Sequence, residues 1–239
     1  PLDPDQNVTP RVLAGALTKP TQVTILGKTH SFSALQFTQP EVENLAKLLP
    51  NTTTLIDQTF SRTQISQGIP QSTILHLATH GMFVPGSPDQ SIILLGDGST
   101  ISLREIEQQW KFPNLSLAVL SACETAIGGK LGNGIEIMGF GYQMQRTGSR
   151  ASLSSLWTVD DGGTQVLMNA FYSGLKQGMT KVQALQEAQK ALITSDYKTV
   201  GGTRSDIEIV NARTGESIGD EKLTHPYYWA PFILIGNGL

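Results

Sequence analysis

A thiol and an imidazole stand just beyond the ends of two apolar segments of this sequence. The apolar run that begins at Leu117 ends in small residues and is followed by the only cysteine of the chain, Cys123. An earlier apolar run ends in the same way at His80 and Gly81. A cysteine and a histidine in such positions are the parts of a nucleophile and its general base. The pattern predicts covalent catalysis by cysteine.

The elements that must position these residues alternate between strands and helices. Helix-capping patterns begin at four hydroxyl residues, namely Thr38, Ser61, Ser102 and Thr180. Apolar segments of strand length occupy residues 53–56, 73–78, 92–95, 116–121, 151–156 and 230–236. Between residues 38 and 194 this alternation predicts an α/β fold with a mostly parallel sheet and helices on both faces.

The segment before residue 38 carries weaker signals. Residues 1–10 are rich in Pro and Asp, which predicts a tail or linker, and residues 27–37 are predicted to be a loop. Two short apolar runs at 11–17 and 21–26 are separated by a Lys-Pro break and are expected to form a hairpin or an edge pair. We expect one domain over residues 11–239.

Three predicted strands end in residues that could do chemistry. In open α/β sheets, ligands bind in the crevice beyond the carboxyl ends of the strands. His80, Cys123 and the segment Trp157 to Asp161 follow such ends. If the strands are parallel, these residues come together at one edge of the sheet.

The choice of His80 as the base depends on its neighbour. Gly81 allows the backbone to approach a substrate closely, and the N–H groups of Gly81 and Cys123 could form an oxyanion hole. His76 lies in the same predicted strand and is interpreted as a buried core residue, which would share a face with His80 on a regular strand. His225, just before the last strand, is the competing base.

Acidic residues near the predicted nucleophile have two interpretations each. Asp160 and Asp161 precede a predicted helix, where an Asp often caps the first N–H groups. Adjacent carboxylates beside a nucleophile could instead bind a substrate Lys or Arg, because a guanidinium matches a carboxylate. Glu124 either orients the local backbone or lines the pocket. The sequence leaves these alternatives open.

Two segments are predicted to be loops. The glycine-rich stretch 128–134 lacks the spacing of a phosphate-binding motif and is interpreted as a flexible loop beside the site. The stretch 195–224 has few apolar residues, which predicts a functional or mobile loop. Its acidic residues show no calcium-ligand spacing. We therefore predict no metal site and no cofactor.

Composition narrows the class of protein. The chain has 239 residues, 15% of them charged, a net charge of -3 and no basic block, so we expect no direct binding of nucleic acid. No apolar run approaches the roughly 18 residues of a membrane span, and residues 1–5 are not expected to be a signal peptide. A single cysteine excludes zinc sites with several cysteines and fits a reducing compartment, so a cytoplasmic location is expected. The chain lacks a starting Met and is expected to be a fragment.

Four segments carry a resemblance to a known family. The stretches HLATHG at 76–81, LSACET at 120–125 and SLWTVDD at 155–161, with HPYYWAPFILIG at 225–236, resemble the hallmark segments of the CHAT domain. That family is similar to caspases and separase. The resemblance implies a caspase-like three-layer sandwich, a His80–Cys123 dyad and an oxyanion hole from Gly81 and Cys123.

The same resemblance implies a substrate class. The segment Trp157 to Asp161 is similar to the separase stretch whose Asp receives the basic residue before the cleaved bond. Asp161 matches that position best and Asp160 is second, with Trp157 and Glu124 grouped in the same substrate-binding site. We predict a cysteine endopeptidase that cleaves protein substrates after a basic residue.

CHAT domains commonly follow tetratricopeptide repeats. The resemblance therefore implies an N-terminal repeat region or a regulatory partner outside this chain, which itself contains no repeats. The main alternative to the peptidase is a latent or non-catalytic regulatory or scaffold module that acts through partner binding. A third interpretation is cysteine-dependent acyl transfer other than peptide hydrolysis. Calcium activation, by analogy with metacaspases, is not favoured.

Overall fold

A computed structural model of the chain describes residues 9–25, 27–84, 86–121, 135–157, 159, 161–196 and 223–239. Most of the predicted tail at 1–10, the predicted glycine-rich loop at 128–134 and most of the predicted loop at 195–224 lie outside these ranges. The division of the chain into a tail and one domain stays a prediction.

A six-stranded sheet forms the centre of the fold. Its strands are β1 (Val12–Ala16), β4 (Thr52–Ile56), β5 (Ile74–Ala78), β9 (Leu117–Leu120), β10 (Ala151–Ser155) and β11 (Phe232–Gly236). Their order in the sheet is β11-β10-β9-β5-β1-β4, and every neighbouring pair is parallel except β10 with β11. The mostly parallel sheet predicted from the sequence is confirmed.

Helices cover both faces of this sheet. They are α1 (Thr38–Leu48), α2 (Arg62–Gly68), α3 (Leu103–Gln109), α4 (Ile135–Arg146), α5 (Asp161–Lys176), α6 (Lys181–Thr194) and α7 (Pro226–Trp229). Along β5, Leu75 and Leu77 join the apolar cluster under α2, α3 and α4, whereas Ile74 and Ala78 join the cluster under α1, α5 and α6. Successive side chains of a strand point to opposite faces, which accounts for this division. None of the helices in the described ranges has the length and apolar character needed to cross a membrane.

Three of the four predicted helix caps are present. The hydroxyls of Ser61, Ser102 and Thr180 accept hydrogen bonds from backbone N–H groups in the first turns of α2, α3 and α6. The cap predicted at Thr38 is wrong, because Phe37 is the N-cap residue of α1 and the Thr38 hydroxyl donates to the Leu17 and Leu35 carbonyls. The Thr38 side chain thus ties α1 to the segment before it.

The predicted pairing of the first two apolar runs is wrong. β1 lies inside the central sheet between β4 and β5, and all five of its residues are buried. A strand buried on both faces is typical of parallel sheets, and its partners are distant in sequence. The hairpin is formed instead by β2 (Thr21–Ile25) and β3 (Lys28–Phe32), so part of the predicted loop at 27–37 is a strand.

A second small sheet begins directly after His80. Its strands are β6 (Gly81–Met82), β7 (Ile92–Leu94) and β8 (Thr100–Ser102), in that order and antiparallel. Only the middle strand, whose residues are all apolar, was predicted from the sequence, because β6 has two residues and β8 has a single apolar residue between two hydroxyl residues. His80 therefore lies at the junction between the central sheet and this small sheet.

Candidate active site

The three strand ends singled out in the sequence lie side by side. β9 pairs in parallel with β5 on one side and with β10 on the other. Leu77 of β5 and Ser154 of β10 are both aligned with Leu120 of β9. The chain after each strand therefore leaves the same edge of the sheet, as the sequence predicted.

Some of the predicted site residues fall outside the described part of the chain. Cys123, Glu124 and Asp160 are in this group. The backbone of Asp161 begins α5, but its side chain is also outside the described part. The His80–Cys123 dyad and the pocket formed by these carboxylates remain predictions.

The imidazole of His80 is held by the end of the β2–β3 hairpin. His80 is 4% exposed, and its Nε2 atom lies 2.8 Å from the carbonyl oxygen of Ser33. A carbonyl oxygen only accepts hydrogen bonds, so Nε2 must carry the proton. The ring of Phe32 packs against the imidazole at 5.1 Å between centroids. In the neutral imidazole the remaining nitrogen, Nδ1, is the basic one.

Gly81 is the first residue of β6, and its backbone N–H group points away from the partner strand β7. The Leu94 N–H donates to the His80 carbonyl at 2.9 Å, and Gly81 is aligned with Ile93. Opposite residues of an antiparallel pair alternate between hydrogen-bonded and non-hydrogen-bonded positions. Because His80 and Leu94 form a hydrogen-bonded position, the N–H of Gly81 faces away from β7.

The other histidine of this segment, His76, has a different environment. β5 ends at Ala78, so the strand alternation does not extend to His80. His76 is fully buried between α1 and α5, with Nδ1 2.9 Å from the Tyr172 hydroxyl and Nε2 2.9 Å from Glu41 Oε1. The first contact is a hydrogen bond, whereas the second is close but lacks hydrogen-bond angles. His76 is a core residue with polar partners, as predicted.

The competing base, His225, serves as a helix cap. Its Nδ1 atom accepts a hydrogen bond from the Tyr227 N–H at the start of α7, and the side chain is exposed. An N-cap acceptor satisfies an N–H group that the helix leaves unpaired. This contact uses one imidazole nitrogen in a local structural role.

The segment after β10 contacts the C-terminal part of the chain. Trp157 is half-buried, and its indole N–H donates to the Tyr227 carbonyl at 3.1 Å. Tyr228 packs so closely on Gly163 in α5 that a Cβ there would lie 2.7 Å from the Tyr228 ring. Two of the sequence segments singled out above are therefore in direct contact.

Sequence reasoning missed the residues that hold His80. Ser33 and Phe32 fall in the segment predicted to be a loop, and the Ser33 contact uses a backbone carbonyl, which no residue type reveals. No group of three or more His, Cys, Asp or Glu side chains in the described ranges could hold a metal ion.

A comparison with protein families identifies the family of this chain. A family model described as the CHAT domain matches residues 4–237. The chain belongs to the CHAT domain family. The match includes all four segments on which the resemblance was based, and it covers the strand ends described above. Comparison with curated proteins gave no match.

The fold is shared with a solved cysteine proteinase. The CHAT domain is similar to the crystal structure of the Arg-specific cysteine proteinase gingipain R, with a TM-score of 0.50 and 13% sequence identity. The alignment covers 80% of this chain but 43% of the gingipain chain. At this identity the likeness concerns the fold. The CHAT domain thus has a caspase-like α/β fold.

Proposed function

We propose that this CHAT domain is a cysteine endopeptidase in which Cys123 is the nucleophile and His80 the general base and acid. The single observation that supports this most is the hydrogen bond from His80 Nε2 to the Ser33 carbonyl, at 2.8 Å. This hydrogen bond makes Nδ1 the basic nitrogen of the His80 imidazole. His80 follows β5, and β5 is paired with β9, the strand that leads to Cys123.

In the proposed reaction, Nδ1 of His80 takes the thiol proton and the Cys123 sulfur attacks the scissile carbonyl carbon. The C–N bond then breaks, and the imidazolium gives its proton to the leaving amine, which leaves a thioester on Cys123. Nδ1 then removes a proton from a water molecule as the water oxygen attacks the thioester carbon. The C–S bond breaks, the carboxylic acid product leaves, and the imidazolium returns the proton to the Cys123 sulfur.

The proposed oxyanion hole uses the backbone N–H groups of Gly81 and Cys123. The orientation of Gly81 supports this, because its N–H faces away from the β6–β7 ladder. Two such donors stabilise the negative charge that develops on the carbonyl oxygen of the tetrahedral intermediate. The pairing of β6 with β7 would hold the Gly81 donor in place.

The proposed substrate carries a basic residue before the cleaved bond. Asp161, with Asp160, would pair with its guanidinium or ammonium group, and Trp157 and Glu124 would line the same pocket. Helix α5 begins at Asp161 and is the next element after β10, and β10 is paired with β9, the strand that leads to Cys123. This placement supports the proposed pocket. The similar fold of a proteinase described as Arg-specific agrees with this choice.

Peptide hydrolysis by the purified chain tests the proposal. Fluorogenic peptides ending in Arg, Lys, Leu or Asp are compared for the wild type, Cys123→Ala and His80→Ala. We expect hydrolysis after Arg and Lys that falls to background in both variants. Hydrolysis only after Leu or Asp would retain the dyad and reject the basic pocket. No hydrolysis, with no labelling of Cys123 by a peptide-like thiol-reactive inhibitor, would reject the peptidase in favour of a regulatory module.

The pocket has a matched set of variants. Asp161→Asn should lower kcat/KM for Arg peptides by about ten- to a hundredfold, because a charged hydrogen bond of about 1.5–3 kcal/mol is lost. Asp160→Asn should have a smaller effect. Asp89→Asn, at an exposed Asp that pairs with Arg104, is the control and should leave kcat/KM unchanged.

A further inference from the structure

Two consecutive residues at the end of the β2–β3 hairpin contact the imidazole of His80. The Ser33 carbonyl accepts the hydrogen bond from Nε2, and the Phe32 ring packs against the imidazole with centroids 5.1 Å apart and planes tilted by 43°. Phe32 is 8% exposed, so this ring contact is shielded from water. Ser33 thus contacts the imidazole at its edge, and Phe32, the preceding residue, packs against the ring surface.

The two contacts restrict different motions. A single hydrogen bond to a carbonyl tolerates a broad range of directions, so by itself it leaves the imidazole free to swing about the N–H···O line. A large ring packed against the imidazole removes that freedom. Without the ring, the imidazole could also rotate about χ1 and χ2 and lose the Nε2 contact with the carbonyl, which is the contact that favours the Nε2-protonated tautomer.

The support of His80 comes from a different sheet than His80 itself. His80 follows β5 of the central sheet, whereas Phe32 ends a two-stranded hairpin that forms a sheet of its own. The hairpin is anchored in the core by Val23 and Phe32, each 8% exposed, and the chain after it by the Leu35 N–H bond to the Thr18 carbonyl. Two-stranded hairpins are marginally stable alone. The orientation of His80 therefore depends on how the hairpin packs.

We propose that Phe32 is a positioning residue for the His80 imidazole, so that its aromatic ring keeps Nε2 on the Ser33 carbonyl and thereby keeps Nδ1 as the basic nitrogen. This inference rests on the proposed peptidase function. Phe32 does not touch the substrate. It acts through the tautomer and orientation of His80.

The test compares Phe32→Leu, which removes the ring, with Phe32→Tyr, which keeps it. Phe112→Leu is the matched control, because Phe112 is 2% exposed and lies in the same apolar cluster, where it packs against Trp110. On the best peptide, Phe32→Leu should lower kcat by about tenfold or more, since small misplacement of a catalytic group is costly. The KM of Phe32→Leu should stay within about twofold of the wild-type value, and Phe32→Tyr should retain the wild-type kcat.

A second readout does not require turnover. Nitrogen NMR of histidine-labelled protein reports the tautomer of His80, whose signals are identified by their loss in His80→Gln. We expect the Nε2-protonated form in the wild type, Phe32→Tyr and Phe112→Leu, and a mixture of tautomers in Phe32→Leu. If Phe32→Leu does not fold, Phe32→Met replaces it. A wild-type tautomer in the ring-less variant would overturn the proposal. A wild type that shows this tautomer but hydrolyses no peptide would reject the peptidase function alone.

Discussion

The Nδ1 atom of His76 lies 2.9 Å from the hydroxyl oxygen of Tyr172, in the buried layer between β5 and α5. The Glu41 carboxylate of α1 approaches the other imidazole nitrogen to 2.9 Å, and its side chain is 4% exposed. Three polar side chains from three elements thus meet beneath the strand that leads to His80. Polar groups buried in this way are costly unless each has a partner, so the hydrogen bond between His76 and Tyr172 favours the observed packing of α5 on β5.

Removing the Tyr172 hydroxyl should destabilise the CHAT domain. Tyr172→Phe would leave His76 Nδ1 buried without its partner, at a cost of about 1–3 kcal/mol. Tyr142→Phe is the control, because Tyr142 is 55% exposed and its hydroxyl accepts from exposed Arg146. Chemical denaturation of the two variants measures the difference. Equal free energies of unfolding would contradict a structural role for the buried hydrogen bond.

The same residue predicts how stability depends on alkaline pH. Burial raises the pKa of Tyr172 well above its usual value, and the nearby Glu41 raises it further. In the unfolded chain the Tyr172 hydroxyl ionises at about pH 10, whereas in the folded protein it stays neutral at that pH. The stabilising contribution is fully present below that pH and is lost as pH rises through the folded pKa. Tyr172→Phe should therefore lose less stability than the wild type between neutral and strongly alkaline pH, as measured by denaturation at each pH.

The sequence indicated much of the sheet because its apolar runs end abruptly. The strands that lead to His80 and to Trp157 were predicted within a residue or two, and a mostly parallel sheet brings their ends together. The place of β1 was not predictable from its own residues. A short apolar run suits a hairpin as well as a central strand, and the distant partners β4 and β5 decide between them.

The polar contacts of the two histidines were beyond sequence reasoning for a different reason. Glu41 follows the predicted cap Thr38 by three positions, as an N-terminal capping pattern requires, but its side chain is buried beside His76. Tyr172 is 96 residues from His76, and only the packing of α5 on the sheet brings them together. The carbonyl that holds His80 belongs to Ser33, and every residue type offers such an oxygen.

Asp57 should make the CHAT domain sensitive to acid. Partial burial raises the pKa of Asp57, but hydrogen bonds from the Thr18 N–H and hydroxyl, together with Lys19, outweigh it and hold the pKa below its usual value. The ionised carboxylate thus contributes stability that is fully present above about pH 3.9. That contribution is lost as pH falls through the lower folded pKa.

Asp57→Asn isolates this effect, because Asn also tolerates the left-handed backbone that Asp57 adopts, with φ 47°. We expect the variant to be less stable at neutral pH by about 1 kcal/mol, since a charged acceptor is replaced by a neutral one. The difference should vanish at low pH in denaturation curves. Asp97→Asn, at an exposed turn, provides the comparison. A difference that persists unchanged below the folded pKa would show that the charge of Asp57 is not its cause.

Gly81 is required by close packing, whatever its part in chemistry. A Cβ at this position would lie 2.8 Å from Cε2 of Phe83 and 3.4 Å from Cδ2 of Leu120. Phe83 is 2% exposed and packs edge-on against Phe140, so it has little room to move. Gly81→Ala should therefore destabilise the protein by about 1–3 kcal/mol, the usual cost of overpacking a core.

A double-mutant cycle separates this clash from other effects of the substitution. Phe83→Leu alone should also destabilise, because it removes buried ring atoms. If the clash with Phe83 dominates, the double variant should be more stable than the sum of the single changes predicts, by about 0.5–3 kcal/mol of coupling. Strictly additive free energies of unfolding would exclude Phe83 as the reason for glycine here. Peptide hydrolysis by the same variants then reports whether restored packing also restores the proposed oxyanion donor, because its nitrogen is bonded to the Cα atom that would carry the added methyl group.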